Sequence, residues 1–282
     1  MDRELVLSGL MMLLCGPLIW LSGLVPATAR TLRCGRQLEY QSWRALWLPL
    51  LPAVIVVAAL LGWALQEPAR SDETFTPTAL GLGTWFALVW ARAILRAVRA
   101  AWPRTYHFPA ATVGLLAPRI IIDPRLRAVL DADALTAAVA HEAAHARHRD
   151  PLRIWLAQLA TDLQWPLPAA HRRLRAWTCA LELARDDEAR ESGADGADLA
   201  AAILAAAQLA GDPRRDIVAC LHGDAAVLGE RVRRLLADPP DTFRVRRRGK
   251  LARLLLTACA IAFVVGYIYG ESLVRLLPGV AS

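Results

Sequence analysis

Four apolar blocks, each about as long as a bilayer-spanning helix, constrain the fold of this chain more than any other feature. We place them at residues 5–26, 46–65, 78–98 and 251–270. A helix needs about 20 mostly apolar residues to cross a lipid bilayer. The blocks therefore predict four transmembrane helices, three of them in a membrane region over residues 1–98, with one long polar segment before the fourth.

The composition and the charge agree with a membrane protein. The chain has 282 residues, of which 56% are hydrophobic, and its mean hydropathy is +0.33, above the usual range of a soluble domain. Its net charge of +7 comes largely from arginines at the ends of the apolar blocks, so we attribute this charge to lipid headgroups rather than to nucleic acid. The five scattered cysteines form no C-x-x-C pair, which argues against a disulfide framework or a cysteine zinc site.

The arginines also predict an orientation in the membrane. The loop between the first two blocks carries four arginines against one glutamate, the next loop is mostly acidic, and the long segment is arginine-rich at both ends. By the positive-inside rule, the N-terminus and a short tail at residues 271–282 lie outside, and residues 99–250 lie in the cytoplasm. We expect Arg92, Arg96 and Arg99 to reach the interface of an inner-membrane, multi-pass protein.

The cytoplasmic segment contains the sequence His141-Glu142-Ala143-Ala144-His145, an H-E-x-x-H pattern. Two histidines one helical turn apart point the same way and can bind one metal ion. The glutamate between them can take a proton from a water molecule that the metal activates. The pattern predicts a zinc hydrolase in which Glu142 is the general base.

A third metal ligand is expected further along the chain, because a catalytic zinc usually has three protein ligands and one open position. We favour Glu182 as this ligand, since Asp186 follows it by one turn on the same face of a helix predicted at residues 170–191. Glu182 would then bind the metal, while Asp186 would accept the free N–H of a ligand histidine.

Two further side chains near these positions leave alternatives open. His148 lies one turn beyond His145, and we interpret it as an exposed residue at the rim of the site, with substrate contact or metal binding as alternatives. Cys179 lies one turn before Glu182, and we interpret it as a buried structural cysteine, with approach to the metal as the alternative.

We predict a β-hairpin or a pair of short strands at residues 106–122. Its first part, Thr112, Val113, Gly114 and Leu115, would offer an edge to which an extended protein substrate could add as a strand. Asp131 or Asp133 is expected to cap the helix that carries the two histidines. An amphipathic stretch at residues 152–165 is compatible either with the membrane surface or with the protein core.

Together these features resemble the BlaR/MecR-type family of integral-membrane zinc metalloproteases, the antibiotic-sensor transducers. The residues that carry the resemblance are His141-Glu142-Ala143-Ala144-His145, Arg147-His148-Arg149-Asp150, Trp165-Pro166, Glu182-Leu183-Ala184-Arg185-Asp186, Gly114-Leu115-Leu116-Ala117-Pro118-Arg119-Ile120 and Gly229-Glu230-Arg231-Val232. It implies a mostly α fold: four transmembrane helices with a cytoplasmic helical zincin-like metalloprotease domain containing a short β-hairpin.

The resemblance also implies one zinc ion per chain, bound by His141, His145 and Glu182, with Glu142 as the general base. The sequence departs from the family in two respects. His148 stands where arginine or lysine is expected, and nothing after the last block corresponds to the family's extracellular penicillin-binding sensor domain, so we do not expect β-lactam sensing.

We therefore predict a membrane-embedded zinc endopeptidase that cleaves a protein substrate on the cytoplasmic side. The family resemblance suggests a cytoplasmic transcriptional repressor, or the protease itself, as the substrate, and a homodimer is left open. One alternative is a Ste24/HtpX-type quality-control protease, which shares H-E-x-x-H and a later Glu-x-x-x-Asp. The other is a zinc-binding signalling adaptor that does not cut.

Overall fold

The computed structural model describes residues 16–24, 35–65, 77–101, 108–210, 225–237 and 249–275. Most of these residues are helical, as predicted. The first apolar block is described only at residues 16–24. The acidic second loop, Arg30 and Arg33 of the first loop, the basic stretch before the fourth block and the last residues of the tail lie outside the described residues.

The helices and the two strands follow one another along the chain with short connections. In order they are α1 (residues 16–23), α2 (Gly35–Trp47), a 3-10 turn (Leu48–Leu50), α3 (Leu51–Ala64), α4 (Pro77–Ala101), β1 (Ala110–Val113), β2 (Arg119–Ile122), α5 (Pro124–Val129), α6 (Ala132–Arg147), α7 (Asp150–Asp162), α8 (Pro168–Glu191), α9 (Gly196–Ala210), α10 (Ala225–Leu236) and α11 (Gly249–Arg275). Helix α11 continues to Arg275, so the predicted outer tail at residues 271–282 begins inside this helix.

The predicted hairpin is present, although its first strand is shorter than expected. Strands β1 and β2 are antiparallel, with Thr112 opposite Ile120. Gly114 and Leu115 lie in the turn rather than in the strand. Gly114 has φ +98°, and a Cβ there would lie 2.6 Å from the carbonyl oxygen of Ala117, so only glycine fits this turn without strain.

Helix α6, which carries the H-E-x-x-H pattern, begins at the first of the two predicted caps. The side chain of Asp131 accepts a hydrogen bond from the backbone N–H of Ala134 at 2.8 Å, the usual N-cap contact. The helix ends at Arg147, and Arg149 adopts a left-handed conformation (φ 51°) that turns the chain into α7. Small alanines on α6 pack against α9, which brings the two helices close together.

Helix α8 lies at the centre of the molecule and contacts α2, α6, α7 and α10. Trp177 and Leu181 of α8 share one hydrophobic core with Leu46 of α2 and Ile19 of α1. Gly35 allows α2 to approach closely, because a Cβ there would lie 2.6 Å from the carbonyl oxygen of Leu183. The predicted membrane region and the predicted cytoplasmic domain therefore share a core.

Helix α7 packs against α4, α6 and α8, which favours the protein core for residues 152–165. Its Asp162 is buried and pairs with Arg92 at 3.1 Å and with Arg96 at 3.0 Å. The indole N–H of Trp155 donates to the carbonyl oxygen of Ala97 at 2.8 Å. The two arginines of α4 that we expected at the membrane interface bind this carboxylate, because a buried aspartate needs a cation beside it, and about a third of each arginine side chain stays exposed.

One helical segment among the described residues, Gly35–Trp63, is long and apolar enough to cross a membrane. It includes α2, the 3-10 turn and most of α3. The apolar part of α11, Leu254–Tyr269, is shorter, but it packs extensively against α3 and exposes large apolar side chains, among them Leu254, Leu256, Ile261, Val264 and Ile268. A span is therefore supported by length at one of the four predicted places.

Candidate metal centre

The two histidines of the H-E-x-x-H pattern meet on the buried face of α6. Because His141 and His145 are separated by four residues, their side chains lie one above the other on one face of the helix. Their Nε2 atoms are 3.1 Å apart, and both side chains are buried. The two nitrogens thus point at a common position.

Helix α8 brings Glu182 to the same position. Its Oε2 lies 3.5 Å from Nε2 of His141, and its Oε1 lies 3.7 Å from Nε2 of His145. One ligand atom from each of the three residues lies within 4.8 Å of the others. The structure therefore brings together the three side chains that we predicted as metal ligands, in an arrangement that could hold a metal ion.

Asp186 lies where the sequence placed it, behind His141. Its Oδ1 is 3.0 Å from Nδ1 of His141, which leaves Nε2 of that ring for a metal. Arg231 of α10 donates two hydrogen bonds of 2.8 Å to the Asp186 carboxylate, and its Nη1 lies 3.0 Å from Oε2 of Glu182. This buried arginine thus holds two carboxylates of the site in place.

Asp150 plays the equivalent part for His145, and our sequence analysis had assigned it no role. Its Oδ2 is 2.9 Å from Nδ1 of His145, and the residue is fully buried. Arg185 and Arg153 both donate to the Asp150 carboxylate. The signal that could have identified it is its position five residues after His145, at the start of the next helix.

The charges around the site favour a cation. Burial by itself would lower the pKa of His141, but the carboxylates of Asp186 and Glu182 outweigh it and raise this pKa to about 10. Burial would likewise raise the pKa of Glu182, but Arg231, followed by His145, holds it well below the ordinary value. The Asp186 pKa falls to about 2 against the effect of burial, chiefly because of Arg231. The carboxylates are therefore ionised. When His141 gives up its proton, two carboxylates face one guanidinium, and the remaining negative charge suits a metal ion.

Glu142 lies beside the histidine pair and contacts the hairpin. The hydroxyl of Thr112 in β1 lies 2.8 Å from Oε2 of Glu142 and 2.8 Å from its backbone carbonyl oxygen. The hydroxyl proton can go to either acceptor, and both contacts fix the strand against α6. Thr112, which we had named only as part of a substrate edge, therefore also orients the candidate general base.

The two residues left open by the sequence lie outside this cluster. Nε2 of His148 is 2.8 Å from Oε2 of Glu188, and about a third of the His148 side chain is exposed, which agrees with a residue at the rim. Cys179 is half-buried on α8 and is not among the grouped ligand atoms of the described residues.

A comparison with protein families identifies the relatives of this chain. The family model described as BlaR1 peptidase M56 matches residues 86–233, which is more than half of the chain and includes the hairpin, α6, α8 and Arg231. No curated protein and no solved structure matched the chain. The match confirms the resemblance that the sequence motifs indicated, and the chain belongs to the BlaR1 peptidase M56 family of metallopeptidases.

Proposed function

We propose that this protein is a zinc-dependent endopeptidase with its metal bound by His141, His145 and Glu182. The spacing of the ligand side chains supports the proposal. In a tetrahedral zinc site with bonds of about 2.0–2.1 Å, neighbouring ligand atoms are about 3.3 Å apart. Here the two Nε2 atoms are 3.1 Å apart, and each lies near a different oxygen of Glu182, at 3.5 Å for His141 and 3.7 Å for His145. With one ligand atom taken from each residue, all three atoms lie within 4.8 Å of one another, and a fourth position would stay open for water or substrate.

Each side chain around the metal position has its own role in the proposed hydrolysis. A zinc ion held there would supply a Lewis acid and acidify water. Glu142 would accept the proton of the attacking water and pass it to the leaving amine. Thr112 would keep the Glu142 carboxylate aimed at the reacting groups, and Asp186 and Asp150 would hold the two imidazoles with Nε2 facing the metal.

We further propose that the protein is embedded in the inner membrane by four helices and cuts on the cytoplasmic side. Helix α2, which belongs to the first loop, docks on α8: Gly35 donates its backbone N–H to Asp187 at 2.8 Å, and Arg36 pairs with Glu191. These contacts support a position of the first loop and the peptidase part on the same side of the membrane, in agreement with the arginine distribution.

The proposed substrate is a protein segment in extended conformation that adds to the β1–β2 hairpin as a further strand. The contact between Thr112 and Glu142 places this hairpin directly beside the proposed general base. That the segment belongs to a cytoplasmic repressor, or to the peptidase itself, rests on the family resemblance. We propose it as the first substrate class to test.

Two substitutions in the detergent-purified full chain test the reaction. We expect Glu142→Gln to keep about one zinc ion per chain but to lose self-cleavage by about 100-fold or more, because general base catalysis contributes at least that factor. Glu182→Ala should lose both zinc and cleavage. Elemental analysis and a cleavage time course measure the two properties.

His148→Gln is the matched control, since this histidine directly follows the end of α6 and pairs with Glu188 at the rim. It should keep both zinc and cleavage. Cleavage that survives in Glu142→Gln would exclude Glu142 as the base. A wild type that binds zinc but does not cleave would favour the adaptor over the enzyme. In that case the purified protein stays intact, and cells that express the wild type show no new protein N-termini beyond those of cells that express Glu142→Gln.

A further inference from the structure

A second buried glutamate, outside the metal centre, is tied to it through two arginines. Glu39 lies on α2, and its side chain is only 1% exposed. Its Oε1 pairs with Arg153 and lies 3.8 Å from Nη2 of Arg185. To bury a carboxylate so completely costs free energy unless cations lie beside it. The two arginines supply the compensating charge.

Both arginines bind the same carboxylate on their other side. Arg153 donates to Oδ1 of Asp150 at 2.8 Å, and Arg185 donates to Oδ1 at 3.1 Å and also to Oδ2. Asp150 in turn faces Nδ1 of His145 at 2.9 Å. A continuous series of charged contacts therefore runs from Glu39 through the arginines and Asp150 to a candidate metal ligand.

Charge balance within this series explains why Glu39 matters to the metal. Glu39 and Asp150 are the two carboxylates that Arg153 pairs with, whereas Arg185 also pairs with Glu188 at 3.3 Å. Without Glu39, the charge of Arg153 is offset by Asp150 alone, and Arg153 draws the Asp150 carboxylate away from His145. Both changes make Nε2 of His145 a weaker metal ligand, because the basicity and orientation of a ligand histidine depend on the carboxylate behind it.

Glu39 also lies on the element that leads into the membrane-type helices. Helix α2 continues through one 3-10 turn into α3, so that Gly35–Trp63 forms one long helical segment. Helix α3 packs against α11, while α2 packs against α8, which carries Glu182. Any movement of this segment relative to α8 would displace Glu39 from Arg153 and Arg185.

We propose that Glu39 is a positioning residue of the metal centre, which holds His145 through Arg153, Arg185 and Asp150 and makes metal binding depend on the docking of α2. The inference rests on the proposed metal site. It assigns to the first loop a part in the peptidase centre, and it makes α2 the element through which the membrane part can act on the reaction.

Glu39→Gln tests the proposal, because it removes the charge while keeping the size of the side chain. In the full chain in detergent, we expect zinc affinity, measured by competition with a chelator, to fall about tenfold. The visible absorption of the cobalt-substituted protein should change as well, since that spectrum reports the geometry of the ligands themselves. Neither measurement requires peptidase activity.

Arg36→Gln is the matched control. Arg36 also joins α2 to α8, through an ion pair with Glu191 in which both side chains are about one-third exposed, but it has no contact with the Glu39 series among the described residues. It should leave zinc affinity and the cobalt spectrum unchanged. Equal effects of Arg36→Gln and Glu39→Gln would show that Glu39 merely helps α2 to dock, and would overturn the proposal.

A double variant separates positioning from general stability. If Glu39 acts through Asp150, Glu39→Gln should weaken zinc binding much less in an Asp150→Asn background than in the wild type. Additive losses would overturn the proposal. If Glu39→Gln does not fold, as judged by circular dichroism and gel filtration, Arg153→Gln breaks the same series at a more exposed residue. It removes the cation that Glu39 and Asp150 share, so the cobalt spectrum should change, and an unchanged spectrum would overturn the proposal.

These outcomes are distinct from failure of the proposed function. A wild-type protein that binds no zinc contradicts the metal site itself. A wild type that binds zinc and cleaves, while Glu39→Gln binds zinc with the same affinity and the same cobalt spectrum, contradicts only the role of Glu39.

Discussion

At the scale of single residues, the centre is organised by the carboxylates behind the two imidazoles. Asp186 faces Nδ1 of His141, and Asp150 faces Nδ1 of His145, so each ring directs Nε2 toward the same position. Arg231 and Arg185 hold these two aspartates in turn. The hydrogen bond between Asp150 and His145 orients that ring, and the Asp186 carboxylate beside Nδ1 of His141 favours the orientation with Nε2 toward the metal.

The raised pKa of His141 leads to a prediction about pH. Its folded value is about 10, against an ordinary value of 6.5, so the metal-free protein gains stability from this proton. That stability is fully present below pH 6.5 and is lost as pH rises through about 10. A metal ion requires the neutral ring, so zinc binding should release a proton, and zinc affinity should rise about tenfold per pH unit over this window.

Chelator competition at pH 7, 8 and 9 measures this dependence. Asp186→Asn is the comparison variant, because it removes the carboxylate that raises the His141 pKa most strongly. Its zinc affinity should be weaker overall and should depend less on pH. A wild-type affinity that stays constant between pH 7 and 9 would contradict the predicted proton release.

At the scale of elements, glycines determine how closely the helices approach. Gly62 of α3 and Gly266 of α11 lie at one crossing: a Cβ on Gly62 would be 2.1 Å from the carbonyl oxygen of Phe263, and one on Gly266 would be 1.9 Å from that of Ala59. Small residues of this kind let two apolar helices pack backbone to backbone, as they do in membranes.

Gly266→Val should therefore separate α11 from α3. The added side chain cannot fit against the Ala59 carbonyl, and overpacking of this kind costs about 1–3 kcal/mol. We expect a lower unfolding midpoint in detergent. Gly81→Val is the control, since a Cβ at Gly81 of α4 meets nothing within 4 Å. Equal midpoints for the two variants would contradict the predicted crossing.

At the scale of the whole molecule, the peptidase part and the apolar helices form one packed unit. The core around Trp177 includes residues of α1, α2, α3, α7 and α8. Asp162 of α7 binds two arginines of α4. Helix α8, which carries Glu182, therefore packs directly against helices of the proposed membrane region.

The proposed orientation predicts which residues a membrane-impermeant thiol reagent can reach. In a background without the five native cysteines, Ser71→Cys in the acidic second loop should be labelled in intact cells. Ala201→Cys on the exposed face of α9 should be labelled only after the membrane is opened. The reverse pattern would place the peptidase centre outside the cell.

Several features of the fold and the site could be predicted from the sequence because they depend on local geometry. The spacing of His141 and His145, and that of Glu182 and Asp186, places each pair on one helical face whatever surrounds the helix. The Asp131 cap, the hairpin and the mostly helical character likewise follow from short-range patterns. These same residues carry the resemblance to the family.

The sequence by itself thus determined which residues form the candidate metal centre, and only the tertiary structure decided which charges surround it. Arg231 is 45 residues from Asp186, and Glu39 is 114 residues from Arg153. Nothing in the local sequence indicates these partners, and Arg92 and Arg96 looked equally suited to lipid headgroups. The physical reason is that helical periodicity acts over a few residues, whereas the partner of a buried charge is chosen by the packing of distant helices.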